Sequence, residues 1–325
     1  MSAIPALPAV GGDGSPVLAL DIGGTKLAAG VVDASGRVHS FSIDPSHAAE
    51  GPDRVLPRLF ELGRRVVADS GIPWAEIHAV GIGCGGPLDA ERGVLIAPLH
   101  LPGWHDVPVT ALAEREFDRP SALDNDATAA AAGEHRWGAG AGTRNMVYLT
   151  ISTGVGGGVV IDDRLYRGAM GNGGELGHVT VDWHGRRCKG CGRLGCLEAY
   201  VSGTSIAERA GEAGLELATA EDVARAARAG EPGARAVWEE TVEALACGLT
   251  SIVNLFEPEL VAVGGGVSRS GEQLLGPVRE SVRASSMAPA AKGLDIVASA
   301  FGEQVGVVGA AAIVYDRDAL KEAHG

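Results

Sequence analysis

Aromatic side chains are scarce in this chain: phenylalanine, tryptophan and tyrosine together supply 4% of its residues. A surface of stacked rings for reading single-stranded nucleic acid is therefore excluded as an organising feature. Positive charge is also short, with 27 lysines and arginines against 41 acidic residues and a net charge of −14. Without a strong local basic patch, such a chain repels a phosphate backbone, so no nucleic-acid partner is expected. No run of about eighteen apolar residues is present, so nothing reads as a membrane span. The opening residues, MSAIPALPAVGGDGSP, have no basic segment ahead of an apolar one and are broken by proline and glycine. Residues 1–16 are expected to be a flexible tail and not a leader peptide. The five cysteines, Cys84, Cys188, Cys191, Cys196 and Cys247, are odd in number, with three clustered and two isolated in apolar sequence. That usage argues against a disulfide framework and for a reducing, cytoplasmic setting and a metal.

Glycine, by contrast, is abundant, at 49 of 325 residues, roughly twice the usual share. Tight turns and close approaches of backbone to a ligand are implied. With 46% hydrophobic residues and a mean hydropathy of +0.12, the chain can bury a large core, which its length suggests is split into about two domains.

Apolar runs at 17–21 and 27–33 flank GGTK and read as a hairpin. Helical spacing over 54–70 followed by the buried strand IHAVGIG suggests a crossover onto the same sheet. SALDNDATAAAAGEHRWGAG reads as a strand end and then a helix of strong formers. NMVYLTISTGVGGGVVIDDRLYRG repeats the hairpin pattern, residues 205–256 are helical, PELVAVGGGVS is a strand with a glycine turn, GEQLLGPVRESVRASS is a helix, and VGVVGAAAIVYDRDAL is a closing helix. Two such halves facing one another would form a cleft.

The glycine turns differ in what they can bind. GIGCGG, residues 81–86, formally matches a dinucleotide fingerprint with Asp106 about twenty residues on, but Pro87 and a loop follow where a helix should face the pyrophosphate. DIGGTK has the wrong order for a Walker loop. It offers instead a bend in which Gly23 and Gly24 let backbone N–H groups approach an anion, with Thr25 as a hydroxyl donor and Lys26 as a positive charge. Asp21 could hold Mg²⁺ through water. STGVGGG, with Thr153 and Gly154, and VGGG, with Gly264 and Gly265, add two further turns at strand ends, which suits a nucleotide held across a cleft.

LALDIGGTK, LDNDATAAAAGE, STGVGGGVVIDDRLYRGAMGNGGELGH, CKGCGRLGCLEAYVSG and NLFEPELVAVGGGVS, taken in order, resemble the ROK family of sugar kinases and repressors, and within it the glucokinase branch. The resemblance implies an actin-like, ribonuclease-H-like α/β fold of two domains, with ATP and sugar in a central cleft. The expected division is a small domain over 17–124, completed by a C-terminal helix at 304–325, and a large one over 125–303. The implied activity is ATP- and Mg²⁺-dependent phosphorylation of a hexose, glucose at its 6-hydroxyl. The alternatives are a kinase for an amino or N-acetylated hexose such as N-acetylmannosamine, or a non-catalytic sugar sensor. By the same resemblance Asp126 is the base that accepts the proton of the attacking hydroxyl, and Asn125 and Gly86 contact the sugar. Asp126 also reads as the N-cap of the following helix. Homodimers or higher homo-oligomers are usual in the family.

His178, Cys188, Cys191 and Cys196 form a Cys₃His set with C-x₂-C-x₄-C spacing, suited to a closed, structural Zn²⁺. By resemblance Glu175, His178 and Glu198 contact the sugar, His178 using one ring nitrogen on zinc and the other on a hydroxyl. Arg186, Arg187, Lys189 and Arg193 lie in the metal loop without a helical pattern, unlike a DNA-reading finger. A ROK repressor would need a helix-turn-helix ahead of DIGGTK, and the roughly twenty residues there are too few for one. Three departures from the family pattern bear on which hexose is preferred: Gly85 for proline, His100 for a sugar-contacting asparagine, and Gly174 for alanine.

Overall fold

The computed structural model describes residues 14–322, with side chains described through Asp316. Most of the expected tail, residues 1–13, lies outside the described residues. By packing, the chain divides into two units: unit 1 comprises 1–141, 167–173 and 303–325, and unit 2 comprises 142–166 and 174–302.

Unit 1 opens with the antiparallel strands β1 (Val17–Ile22), β2 (Lys26–Val32) and β3 (Val38–Pro45). Helix α1 (Pro52–Ser70) starts with proline in its first turn and stops at Gly71, whose φ of 72° is the left-handed conformation that favours glycine. Its Val55, Leu59, Leu62 and Val66 recur at helical spacing and are buried. The crossover returns the chain to β4 (Ala79–Cys84), parallel to β1. A short hairpin of β5 (Leu88–Asp89) and β6 (Val94–Leu95) and helix α2 (Val109–Phe117) lead to β7 (Ser121–Asn125), parallel to β4, and then to helix α3 (Asp126–Trp137). The sheet order is β3-β2-β1-β4-β7. All of β4 is buried, as expected of a parallel strand covered on both faces.

Unit 2 repeats this plan. Strands β8 (Met146–Ile151), β9 (Val155–Ile161) and β10 (Arg164–Leu165) are antiparallel, and β11 (Leu260–Gly264) and β12 (Asp295–Ala298) extend the sheet in parallel to give β10-β9-β8-β11-β12. Between them lie α4 (Glu198–Val201), α5 (Gly203–Glu212), α6 (Ala220–Arg228), the long α7 (Pro232–Phe256), α8 (Glu272–Ser285) and α9 (Ala288–Ala291). Buried Arg209 of α5 ties this layer together, donating to the carbonyls of Tyr200 and Val237, to Thr241 and to Glu240.

The last helix, α10 (Val305–Glu322), belongs to unit 1. It packs with almost no room for side chains at its contacts. A Cβ on Gly81 of β4 would lie 1.8 Å from the Ala310 carbonyl oxygen, and one on Gly309 would lie 2.5 Å from the Ala129 backbone of α3. GIGCGG begins inside β4, where Gly81 serves helix packing, in keeping with the sequence reading that sets the dinucleotide fingerprint aside. The same packing explains one difference from the expected domains. The unit boundary lies after Ala141 and not at 124/125, because α3 packs against α10 in unit 1.

Gly81→Ala should therefore destabilise the protein by about 1–3 kcal/mol, the usual cost of overpacking a filled core. Urea unfolding would measure it, and an unchanged midpoint would contradict the close β4–α10 contact.

Candidate active site

In unit 1, β1, β4 and β7 run parallel and end level, with Ile22 beside Cys84 and Cys84 beside Asn125. Ligands of open α/β sheets bind beyond such carboxyl ends. Asp21 and Asp126 meet there: a Cβ on Gly83 would lie 3.5 Å from Asp21 Oδ1 and 3.8 Å from the Asp126 Cα. Burial, with the Asp126 charge adding to it, pushes the Asp21 carboxyl up to about 7. Burial also raises Asp126, an effect opposed by the Ala127 N–H and by His100. Cys84, between them, is pushed up by burial and by both carboxylates. The sequence gives no hint of this proximity, which depends on strand pairing.

Asn125, and not Asp126, is the N-cap of α3. Its Oδ1 accepts from the N–H groups of Ala127 at 3.0 Å and Thr128 at 3.2 Å, leaving Asp126 as the first helical residue. Asp126 Oδ1 accepts from Ala127 N–H at 2.7 Å, which holds its carboxylate at the positive end of the helix.

The β1–β2 turn is held from below. Gly23 N–H donates to the Lys26 carbonyl, and buried Ser46 donates its hydroxyl to the Gly24 carbonyl and its N–H to that of Thr25. Gly24 is pressed by His100, whose Cβ and carbonyl oxygen would both lie 2.9 Å from a Cβ there. Thr25 and Lys26 are exposed. Gly86 lies near Asn125, whose Nδ2 is 3.8 Å from the place of a Gly86 Cβ.

In unit 2 the other two glycine turns are brought together. Pairing of Gly264 with Thr150 carries Gly265, at a φ of 87°, onto the end of β8, where a Cβ would lie 2.3 Å from the Ile151 carbonyl oxygen. Thr153 and Gly154 follow directly in the β8–β9 turn, fixed by Ser152 N–H to the Gly154 carbonyl and by Thr204 Oγ1 to the Thr153 carbonyl.

The Cys₃His set assembles as expected from its spacing. One ligand atom each from His178, Cys188, Cys191 and Cys196 lies within 4.8 Å of the others. Cys191 and Cys196 sulfurs are 3.4 Å apart, and Cys188 Sγ is 3.8 Å from His178 Nδ1. A tetrahedral metal with bonds of about 2.0–2.3 Å requires edges of about this length, so the set fits zinc. The turn Leu176–His178 supplies the histidine, while Cys188 N–H to the Arg193 carbonyl and Gly192 N–H to the Cys188 carbonyl close the knuckle. Cys188 and Cys196 are buried, His178 is half-buried and Cys191 is exposed.

Glu198 joins this knuckle to the Thr153 turn. One carboxylate oxygen accepts from Val155 N–H at 2.9 Å, and the other lies 3.2 Å from Cys188 Sγ. Glu175 is exposed and precedes His178, whose N–H donates to the Glu175 carbonyl. Exposed His184 sits in a turn outside the cysteine set, as expected.

Two further residues have no signal in the sequence. Asp124, fully buried, accepts from Arg167 Nε at 2.9 Å and Nη2 at 2.8 Å. The pair spans 43 residues, and no local pattern points to it.

The chain is 36% identical to a glucokinase from Thermotoga maritima over 93% of its own length and 98% of that protein. Among solved structures it resembles a ROK hexokinase from Thermus thermophilus, at 37% identity and a TM-score of 0.79, covering 95% of this chain and all of that one. It also resembles a ROK family glucokinase from Streptomyces griseus in complex with glucose and AMPPNP, at 32% identity and a TM-score of 0.77, covering 92% and 98%. The sequence pattern of the ROK family matches residues 17–317, and the chain belongs to that family.

Proposed function

We propose that this protein is an ATP-dependent hexose kinase that transfers a phosphoryl group to the 6-hydroxyl of glucose. The observation that carries the reading is Asp126: a half-buried carboxylate with a raised pKa, at a helix N-terminus, beside a second carboxylate and a glycine hairpin.

Phosphoryl transfer asks a protein to align the acceptor hydroxyl, neutralise phosphate charge and accept one proton. Asp126 is the base: burial brings its pKa closer to working pH, and the Ala127 N–H fixes one oxygen while the other takes the proton. Asn125 orients the sugar through the Nδ2 that capping leaves outward, beside Gly86. Gly23 closes the first turn, so contact with phosphate falls to Gly24, Thr25 and Lys26, with Thr153, Gly154, Gly264 and Gly265 serving the rest of the nucleotide. Two carboxylates raised by burial are donor chemistry that a hard divalent cation stabilises. Asp21 would hold Mg²⁺, which when bound offsets phosphate charge.

Zinc in the Cys₃His set would be structural, since four protein ligands leave no open position. His178 would hold it through Nδ1, the ring nitrogen that faces Cys188 Sγ, and would keep the opposite ring nitrogen for a sugar hydroxyl. Glu175 and Glu198, next to the knuckle, accept from other hydroxyls.

A coupled assay with ATP, Mg²⁺ and a panel of hexoses tests the reading, with glucose expected as the preferred acceptor. Sugar binding without transfer to any hexose would establish a sensor instead. Asp126→Ala should lower kcat by about 10²–10⁴-fold, the range for loss of a general base, with sugar affinity nearly kept; near-normal kcat would remove Asp126 from that role. Cys191→Ser should lose zinc and sugar affinity together. Stoichiometric zinc in that variant, read by elemental analysis, would overturn the ligand set.

A further inference from the structure

Arg167–Gly173 interrupts the sequence of unit 2 but packs with unit 1. The segment is closed on itself by Gly173 N–H donating to the Arg167 carbonyl at 2.8 Å, and it is anchored by Arg167 on buried Asp124. Asp124 is also the residue before Asn125, and its second oxygen accepts the Asn125 N–H at 2.9 Å. One carboxylate therefore fixes the carriers of two asparagines, Asn125 and Asn172. Both converge on one place: Asn125 Nδ2 and Asn172 Oδ1 each lie 3.8 Å from the position of a Cβ on Gly86.

Their hydrogen bonds settle which end each amide presents. Asn125 spends its oxygen on the α3 cap, so it offers its NH₂ group as a donor. Asn172 spends its NH₂ on the Met170 carbonyl at 2.9 Å, so it offers its oxygen as an acceptor. A donor and an acceptor gathered at one glycine match a sugar hydroxyl pair, in which one oxygen accepts and its neighbour donates.

We propose that Asn172 is a substrate-contacting residue that accepts a hydrogen bond from a hexose hydroxyl, with Arg167 and Asp124 as the residues that position it. The inference rests on the kinase reading for the identity of the ligand, though not on turnover. Asn172 recognises one hydroxyl of a particular orientation, so it contributes to the choice among hexoses.

Calorimetric titration of wild type and Asn172→Ala with glucose and with its monodeoxy analogues tests this, alongside steady-state kinetics. Loss of one neutral hydrogen bond should weaken glucose binding about tenfold and raise the KM for glucose to match, with kcat and the KM for ATP unchanged. One monodeoxy analogue should bind both proteins alike, because the variant has already lost the partner of the missing hydroxyl; a purely structural effect would weaken every analogue equally. Unchanged glucose affinity in Asn172→Ala, or deoxy penalties identical in the two proteins, would overturn the proposal. A wild type that binds glucose without phosphorylating it would sink the kinase reading alone. Failure of the wild type to bind any of these sugars would sink both.

Discussion

Side-by-side pairing of β1, β4 and β7 brings three strand ends to one level, and the chemistry of unit 1 depends on that register. Asp21 stands one residue before the end of the first strand, Cys84 ends the second, and Asp126 begins the helix after the third. A slip of one residue in either pairing would turn alternate side chains to the other face and separate the two carboxylates. The register is held by close backbone contact: β4 takes glycine at Gly81 so that α10 can rest on it, and Gly83 leaves room between the acids. Burial then does what it does to any carboxyl, disfavouring the charged form and bringing proton affinity toward the range useful for a base.

Unit 2 has the same strand plan but a different chemical filling. Where unit 1 places carboxylates beside its hairpin turn, unit 2 places a cysteine and histidine knuckle beside the equivalent turn, and Glu198 bridges the two. Gly154 and Gly190 are glycines for that reason, since a Cβ on either would fall within 2.8 Å of a Glu198 oxygen. Loss of the knuckle would thus be felt at Thr153 and Gly154 as well as at His178. Knuckle, carboxylate and glycine turn form one mechanical piece.

Features built from neighbouring residues are legible in the amino-acid sequence itself. The two hairpins, the alanine helix, the three glycine turns and the cysteine spacing each lie within one short stretch of chain, where periodicity and turn chemistry speak directly. Asn125 and Asp126 both stand out there, yet the cap falls to Asn125, since either residue type satisfies a helix start equally well. What the sequence hides is long-range. The Asp21–Asp126 proximity follows from pairing across β4, the unit boundary from α3 meeting α10, and the Arg167–Asp124 pair from a segment that leaves one unit to join another. None of these has a periodic signal, and Asn172 reads in sequence as one more residue of a glycine-rich loop.

Unit 1 is assembled from three separate lengths of chain, and its central strand β4 is covered on one side by α10, which comes after all of unit 2. During synthesis, unit 2 can therefore collapse on its own core while the first sheet still has an open apolar face. Non-local closure of this kind is slow, and surface exposed in the interval favours aggregation. The nascent protein is most in need of chaperone protection not at its beginning but in the interval before its last helix leaves the ribosome.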